Sequence, residues 1–379
     1  GKLMRVIVVG CGKIGRAIVA SMAEENHDIV AIDNNPDVIS HLTNTYDVRA
    51  VCGNATSKEL LTEAEVSKAE LFIAVTESDE VNMLSCFLAK KLGAKYTVAR
   101  IRESDYNDSS LGFLTKQLRL SMALNPELLT AEAIFNMLKL PSASKADTFA
   151  GKKIQILELA VKGKFRYAGM ALSDLRKKIP VNFLACAVKR EEETFIPNGT
   201  FVLQEGDRVA FMVATSDSYR FLRSLGLVQR HAHDVTVMGA STTAYYLIKL
   251  LAANNYSVKV IEKSAERCEE IAEKVPNSVS VIHGDATDQD LLLEEGISST
   301  DAFLALTGKD EENILISFYA LNQGVSKAIA KVNRPSLASM SEKLGLDSVV
   351  SPQNIVADVL TRYARALNDS LQSKMETLY

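Results

Sequence analysis

RVIVVGCGKIGRAIV, residues 5–19, is the stretch whose reading decides the fold. Residues 6–9 form a short β-branched run of the kind found in buried strands. Gly10, Gly12 and Gly15 follow in G-x-G-x-x-G spacing, and residues 14–24 carry apolar side chains at helical period. Strand, glycine turn and helix in that order give the fingerprint a mechanism. Gly10 permits the tight turn, Gly12 lets a pyrophosphate approach the backbone, and Gly15 lets the helix pack on the strand. The helix N-terminus adds unpaired N–H groups and a partial positive charge. Asp33, 18 residues beyond Gly15, ends a second strand at 29–32. There a carboxylate accepts both ribose hydroxyl protons and repels a 2′-phosphate, which favours NAD or an adenosine nucleotide over NADP.

Working outward, the pattern returns. Residues 234–248 (DVTVMGASTTAYYLI) overlay 5–19, and 258–262 (VKVIE) overlay 29–33, at an offset of 229. Gly53-Asn54-Ala55-Thr56 pairs with Gly284-Asp285-Ala286-Thr287, and 74–82 (AVTESDEVN) with 305–313 (ALTGKDEEN), at 231. Arg100 falls opposite Lys331, and Asn125-Pro126 near Ser351-Pro352. These ordered matches indicate one duplicated domain of about 130 residues. Within each copy, β-branched runs (6–9, 29–32, 71–75, 97–101) alternate with helical stretches (14–24, 81–92), the pattern of βαβ units and a parallel sheet covered on both faces. The fold class is α/β, two tandem Rossmann-like doubly wound parallel-sheet domains. Between them lies a small α+β module with strands at 154–161 and 181–188, a helix at 171–178, and turns at Pro197-Asn198-Gly199 and Glu205-Gly206-Asp207 bracketing 200–203 and 208–213. The Ser-, Ala- and Pro-rich stretch 140–151 reads as a linker. The expected domains are 4–140, 151–230 and 234–366, with a tail at 367–379.

Composition narrows the function classes. The length of 379 residues suggests two or three domains. No apolar run approaches the roughly 18 residues of a membrane-spanning helix. Lys plus Arg is 43 against 47 Asp plus Glu, a net charge of −4, so nothing points to nucleic acid. Five cysteines, odd in number and without a CxxC pair, fit buried free thiols in a reducing compartment, hence the cytoplasm. The N-terminus runs straight into a strand, so no signal peptide is expected, and Gly1-Lys2-Leu3 ahead of Met4 reads as vector-derived sequence.

Further candidate residues follow the strand ends. In the second copy, Gly239-Ala240-Ser241-Thr242-Thr243-Ala244 substitutes Ser for the second glycine and Ala for the third, while Glu262 retains the acid. This copy either binds a nucleotide differently or is a degenerate scaffold. Asn54 and Asp285 either hydrogen-bond an adenine edge or belong to helix starts capped by Thr56 and Asp288. Thr76 and Glu77 sit beside the expected nicotinamide or phosphate position or simply cap a helix. Arg100 pairs with phosphates or forms a surface salt bridge. His27, His41, His231, His233 and His283 are scattered, with His231-x-His233 reading as an exposed linker pair, so no catalytic residue and no metal site are assigned.

The ordered combination VxxGxGxxG, an acid ending the second strand, GxAT, AVTxxDExN and ARIR, with an Asn/Ser-Pro corner closing each copy, resembles the KTN (RCK amino-terminal) domains of the TrkA family. Residues 196–213 (IPNGTFVLQEGDRVAFMV) resemble its TrkA-C (RCK carboxy-terminal) module. The resemblance covers residues 4 to about 366. It implies a non-enzymatic, cytosolic regulatory subunit of a bacterial potassium uptake system, peripheral on the inner face of the membrane through a TrkH/TrkG-like transporter subunit. It also implies a homodimer or homotetramer. The implied cofactor is NAD(H), alternatively ATP/ADP. Carried over by position, its contacts are Gly10, Cys11, Gly12, Lys13, Ile14, Asp33, Thr76, Glu77 and Arg100, then Gly239, Ala240, Ser241, Thr242, Thr243, Glu262, Thr307 and Lys331. Asn54 stands where Asp is commoner. The family's second TrkA-C module would follow the second copy, so the end at Tyr379 reads as a truncation or a shortened member. An NAD-dependent oxidoreductase, and a regulator of a potassium efflux system or channel, stay open as alternatives.

Overall fold

The structure is a computed structural model describing residues 3–102, 108–140, 145–149, 153–227, 233–346 and 348–376. The chain forms two compact units. One comprises Gly1–Glu132, Lys331–Ala338 and Val350–Tyr379, the other Ala133–Ala330 and Ser339–Val349.

The first copy contributes β1 (Arg5–Val9), α1 (Lys13–Glu24), β2 (Asp28–Asp33), α2 (Pro36–Thr45), β3 (Arg49–Cys52), α3 (Lys58–Glu63), β4 (Leu71–Ala74), α4 (Asp79–Leu92), β5 (Tyr96–Arg100), α5 (Asp108–Gln117), β6 (Met122–Leu124) and α6 (Pro126–Leu138). Its strands form a sheet of order β3-β2-β1-β4-β5-β6, in which the named pairs run parallel. Val6 and Val8 enter one core while Ile7 and Val9 enter the other, which is why the strand is apolar throughout rather than alternating. The order reverses between β1 and β4, so a crevice opens beyond the carboxyl ends of those strands.

The small module comprises β7 (Lys145–Phe149), β8 (Ile154–Ala160), α7 (Leu172–Lys178), β9 (Phe183–Arg190), β10 (Glu193–Phe195), β11 (Arg208–Ala214) and α8 (Ser218–Ser224), with sheet order β10-β9-β11-β8-β7. Three local expectations change. The stretch expected to be a linker contains β7, which pairs antiparallel with β8 from Lys145↔Glu158 to Phe149↔Ile154; residues 141–144 and 150–152 lie outside the described residues. The strand expected at 200–203 reduces to one bridge, Ala171↔Val202. There Asn198 Oδ1 accepts from the Thr200 amide (3.0 Å) and hydroxyl (2.6 Å) and bends the chain into a turn. The short β10, unforeseen, pairs with β9 after Glu191 adopts φ of 55°.

The second copy repeats the first topology with β12 (Asp234–Met238), α9 (Thr242–Ala253), β13 (Ser257–Glu262), α10 (Ala265–Lys274), β14 (Ser280–His283), α11 (Gln289–Glu294), β15 (Ala302–Ala305), α12 (Asp310–Asn322), β16 (Lys327–Lys331), α13 (Pro335–Lys343), β17 (Ser348–Val350) and α14 (Pro352–Glu376), in sheet order β14-β13-β12-β15-β16-β17.

α14 joins the first copy's unit, and the C-terminal half of α6 joins the second copy's. Val356, Ala357, Leu360 and Ala364 of α14 join the first unit's core with Val6, Ile18 and Ile73. Ser21 and Thr361 hydroxyls meet at 2.7 Å, and Arg365 Nε donates to Glu25 at 2.9 Å, holding that carboxyl below the usual range. In the second unit, Phe135 of α6 packs edge-on against Tyr256 (ring centroids 6.1 Å), and the buried Lys327 ammonium donates to the carbonyls of Met137 and Leu140 at the end of α6. Cys11, Cys86 and Cys268 are buried free thiols, whereas Cys186 is half-buried and Cys52 is exposed, so the expected burial holds for three of the five. His233 is exposed, and His231 lies outside the described residues. No helix among the described residues is long and apolar enough to cross a membrane.

Candidate functional site

A cavity of about 1000 Å³ occupies the crevice of the first unit and is lined by Gly10, Cys11, Gly12, Lys13, Ile14, Asp33, Asn54, Thr76, Glu77 and Arg100. All ten first-copy candidates thus face one space, at the upper end of the roughly 300–1000 Å³ typical of ligand pockets.

The glycines divide the labour. Gly10 has φ of +86°, and a Cβ there would come within 2.8 Å of the Thr76 amide nitrogen, so the loop after β4 closes directly over the turn. A Cβ on Gly15 would lie 1.8 Å from the Gly10 carbonyl oxygen, whereas one on Gly12 would meet nothing within 4 Å. The open space at Gly12 faces the start of α1, where no side chain caps the helix. Those N–H groups are available to an anion.

Asp33 is fixed by the turn it serves: Oδ2 accepts from the Cys11 amide (2.8 Å) and Oδ1 from the Asn35 amide (2.9 Å). Each oxygen keeps a lone pair for a ribose hydroxyl. The Cys11 thiol points inward toward the Val8 and Ile32 carbonyls, and burial, then the charge of Asp33, push its pKa up to about 12. Cys11 therefore offers the cavity its backbone, not a thiolate.

Arg100, ending β5, is only 7% exposed. Its Nε has no hydrogen-bond partner, and it pairs with no carboxylate among the described residues; burial, then the charge of Arg102, depress its pKa. The surface ion pairs belong instead to Arg102, 3.3 Å from Glu77 and 3.6 Å from Glu127, which removes the salt-bridge reading of Arg100. A guanidinium stays charged, so Arg100 is a desolvated cation in the wall of a cavity.

Sequence reading missed Asn82, which is fully buried. Its Oδ1 accepts from the Thr76 amide (2.8 Å) and hydroxyl (2.6 Å), while its Nδ2 donates to the carbonyls of Thr76 (3.1 Å) and Arg100 (2.9 Å). One amide thereby ties the ends of β4 and β5 together at the cavity. The available signal was the Asn closing AVTESDEVN and ALTGKDEEN; Asn313 holds Thr307 in the same way, at 3.1 and 2.6 Å. Ser78, not Thr76 or Glu77, caps α4, and Ser57, not Thr56, caps α3. Asp288 caps α11, one of the two readings of that segment. Asn54, which lines the cavity, has its Oδ1 held by the Thr56 amide and hydroxyl at 2.9 and 2.7 Å. The equivalent Asp285 Oδ1 is held the same way by Thr287, and Asp285 Oδ2 pairs with Lys263 at 3.6 Å.

The second copy keeps the turn and alters its chemistry. Gly239 (φ +98°) packs under Thr307, and Glu262 Oε2 accepts from the Ala240 amide at 3.0 Å, as Asp33 does from Cys11. Ser241 differs. Its hydroxyl donates to the Leu306 carbonyl (2.9 Å) and accepts from the Ala244 amide (3.2 Å), capping α9. Thr242 is exposed and Thr243 buried. Lys331 ends β16 as Arg100 ends β5, and falls in the first compact unit rather than with Gly239 and Glu262.

The TrkA-N domain family matches residues 6–113 and 235–352, and the TrkA-C domain family matches 156–226. A protein from Archaeoglobus fulgidus named Trk system potassium uptake protein TrkA homolog is 34% identical over 374 residues, covering 98% of this chain and 84% of its own. The chain belongs to the TrkA family. Another member, Trk system potassium uptake protein TrkA of Vibrio alginolyticus, is 31% identical over 365 residues, covering 96% of this chain and 79% of its own. The same architecture recurs in the GsuK channel bound to NAD (TM-score 0.69, 18% identity, 98% of this chain, 67% of that one) and in GsuK bound to ADP (TM-score 0.57, 15% identity, 96% and 71%). The TrkA-N matches fall on the two Rossmann-like copies and the TrkA-C match on the antiparallel module.

Proposed function

We propose that this protein is a cytoplasmic, nucleotide-binding regulatory subunit that gates a potassium uptake transporter, and that the first-copy cavity is its sensor site. The observation carrying the site is Arg100, a buried guanidinium whose Nε has no partner among the described residues, lining the same cavity as the uncapped start of α1. Two unsatisfied cationic elements facing one space fit a pyrophosphate. Asp33 then holds the adenosine ribose, Asn54 approaches the adenine edge, and Thr76 and Glu77 border the distal half. NAD(H) is the preferred ligand and ATP/ADP the runner-up; the GsuK structures with NAD and with ADP are precedents for both in this architecture. In the second copy Ser241 occupies the helix start, so the contacts at Gly239, Ala240, Thr242, Thr243, Glu262, Asp285, Thr307 and Lys331 amount to a weaker site or one restricted to a smaller adenosine nucleotide.

Regulation follows by population shift. A nucleotide favouring one arrangement of the protein drives the assembly there, and the change is passed to a TrkH/TrkG-like membrane subunit. Assembly as a homodimer or homotetramer is supported by Leu84 on α4 and Leu315 on α12, 47% and 66% exposed at equivalent positions of the two copies. Calorimetric titration of the full chain with NADH and ADP tests the sensor. Hydride transfer from NADH to carbonyl acceptors at ordinary dehydrogenase rates would replace this reading with an oxidoreductase. Identification of the membrane protein that co-purifies separates uptake from efflux or a channel.

A further inference from the structure

A second cavity, of about 580 Å³, runs between α1 and α14, and Lys13, Asn333 and Gln353 line both cavities. Asn333 lies on the connection after β16 and Gln353 in the first turn of α14. Both derive from the second copy yet belong to the first compact unit. Gln353 is 7% exposed, and its Nε2 donates to the Asn333 backbone carbonyl. A carbonyl only accepts, so this bond sets the orientation of the amide and turns Oε1 elsewhere. Among the described residues, Oε1 accepts no hydrogen bond. The equivalent places in the first copy hold Arg102 and Glu127, an ion pair at 3.6 Å, so the pair bordering the intact glycine fingerprint is the uncharged one.

The chemistry of that oxygen selects a ligand. Asp33 fixes the adenosine end at β2, and Gly12 with Lys13 marks the phosphates. Phosphate oxygens are acceptors and do not satisfy Oε1. A nucleoside mono- or diphosphate offers no donor beyond its phosphates, whereas a dinucleotide carries a second ribose with two hydroxyls. We propose that Gln353 is a specificity-determining residue of the first site, its Oε1 accepting from a hydroxyl of the second ribose of a dinucleotide, with the Asn333 carbonyl as its positioning partner. The second repeat thereby reads which nucleotide occupies the first. This inference rests on the sensor site proposed above.

The test uses the full chain and its Gln353→Met variant, titrated calorimetrically with NADH, ADP and AMP. Expected is a roughly tenfold loss of NADH affinity, the scale of one neutral hydrogen bond, with ADP and AMP changed by less than about twofold. Unchanged NADH affinity overturns the inference, as does an equal loss for all three ligands, which would mark a general disturbance of the unit. Backbone hydrogen exchange of the unmutated chain gives a second arm independent of the variant's folding. NADH, but not AMP, should slow exchange in the first turns of α14, and equal protection by both ligands, or none by NADH, also overturns it. A wild-type chain that binds none of the three defeats the sensor site itself, an outcome distinct from binding without discrimination.

Discussion

Gly12 and Ser241 hold the same place, one residue before α1 and α9, with nearly the same φ, −70° and −72°. Gly12 leaves the first N–H groups of its helix open to the cavity. Ser241 spends its hydroxyl on the protein, capping one helix N–H and bonding the Leu306 carbonyl. Nearby, the acid–turn contact survives in both copies, Asp33 to Cys11 and Glu262 to Ala240. The difference teaches that the acid ending the second strand is a strut of the turn as well as a ribose ligand. Its retention in the second copy therefore says little about ligand binding, whereas the residue before the helix says a great deal.

The largest expected effect that sharpens this contrast is on Asp33 and Glu262. Either residue changed to Ala leaves a turn N–H without its acceptor, at about 1–3 kcal/mol of stability. Only Asp33→Ala should also weaken NADH, by roughly ten- to a hundredfold. Comparable loss of NADH affinity in Glu262→Ala, by calorimetry, would break the comparison. Next comes Gly15→Ala, whose new methyl would meet the Gly10 carbonyl. Overpacking of this kind costs about 1–3 kcal/mol, and a backbone obstacle puts it at the upper end. The reverse change, Ala244→Gly, should cost only about 1 kcal/mol of helix propensity. Denaturant titration of each variant distinguishes the two.

Ser241→Ala should cost about 1 kcal/mol through the lost cap, but Ser241→Gly only a few tenths. The glycine variant should also open the second helix start and raise NADH or ADP stoichiometry above that of the wild type. Two equal nucleotides per wild-type chain would remove the asymmetry outright.

The smallest expected effect concerns pH and again sets copy against copy. His27 is buried with both ring nitrogens unpartnered, and burial lowers its pKa. The unfolded chain, titrating near pH 6.5, then binds the proton better, so stability of the first unit falls as pH drops through and below that value. The equivalent position is Tyr256, whose pKa burial raises; its contribution to the second unit is lost as pH climbs above about 10. Melting curves of wild type and His27→Phe across pH 5–8 check the acid arm, and identical slopes would discount His27.

The features legible in the sequence were those written locally. The glycine turn, the acid 18 residues on and the strand-end motifs placed ten residues around one cavity because each sits at, or within five residues after, the carboxyl end of a strand, where topology alone aims it. The duplication exposed the second copy in the same way. Asn82 escaped because its role depends on how closely the loop after β4 approaches the end of β5, which no spacing encodes. β7 and β10 escaped because short edge strands carry weak patterns and their pairing is decided by a neighbour. Gln353 lies more than 300 residues from the glycines it joins, beyond any motif window.

The traded helices make the two repeats hostage to one another. A fragment ending after α6 would present Val6, Ile18 and Ile73 to water where Val356, Ala357, Leu360 and Ala364 now lie. Such a half would have to recruit a stand-in, most simply the terminal helix of a second identical fragment. A single-repeat ancestor obeying the same rule would have been an obligate pair of molecules, and fusion of its gene would have turned a bimolecular encounter into a tethered one. In such a tethered pair the two halves are free to differ in chemistry without risk of losing each other, as the open Gly12 and the capping Ser241 do.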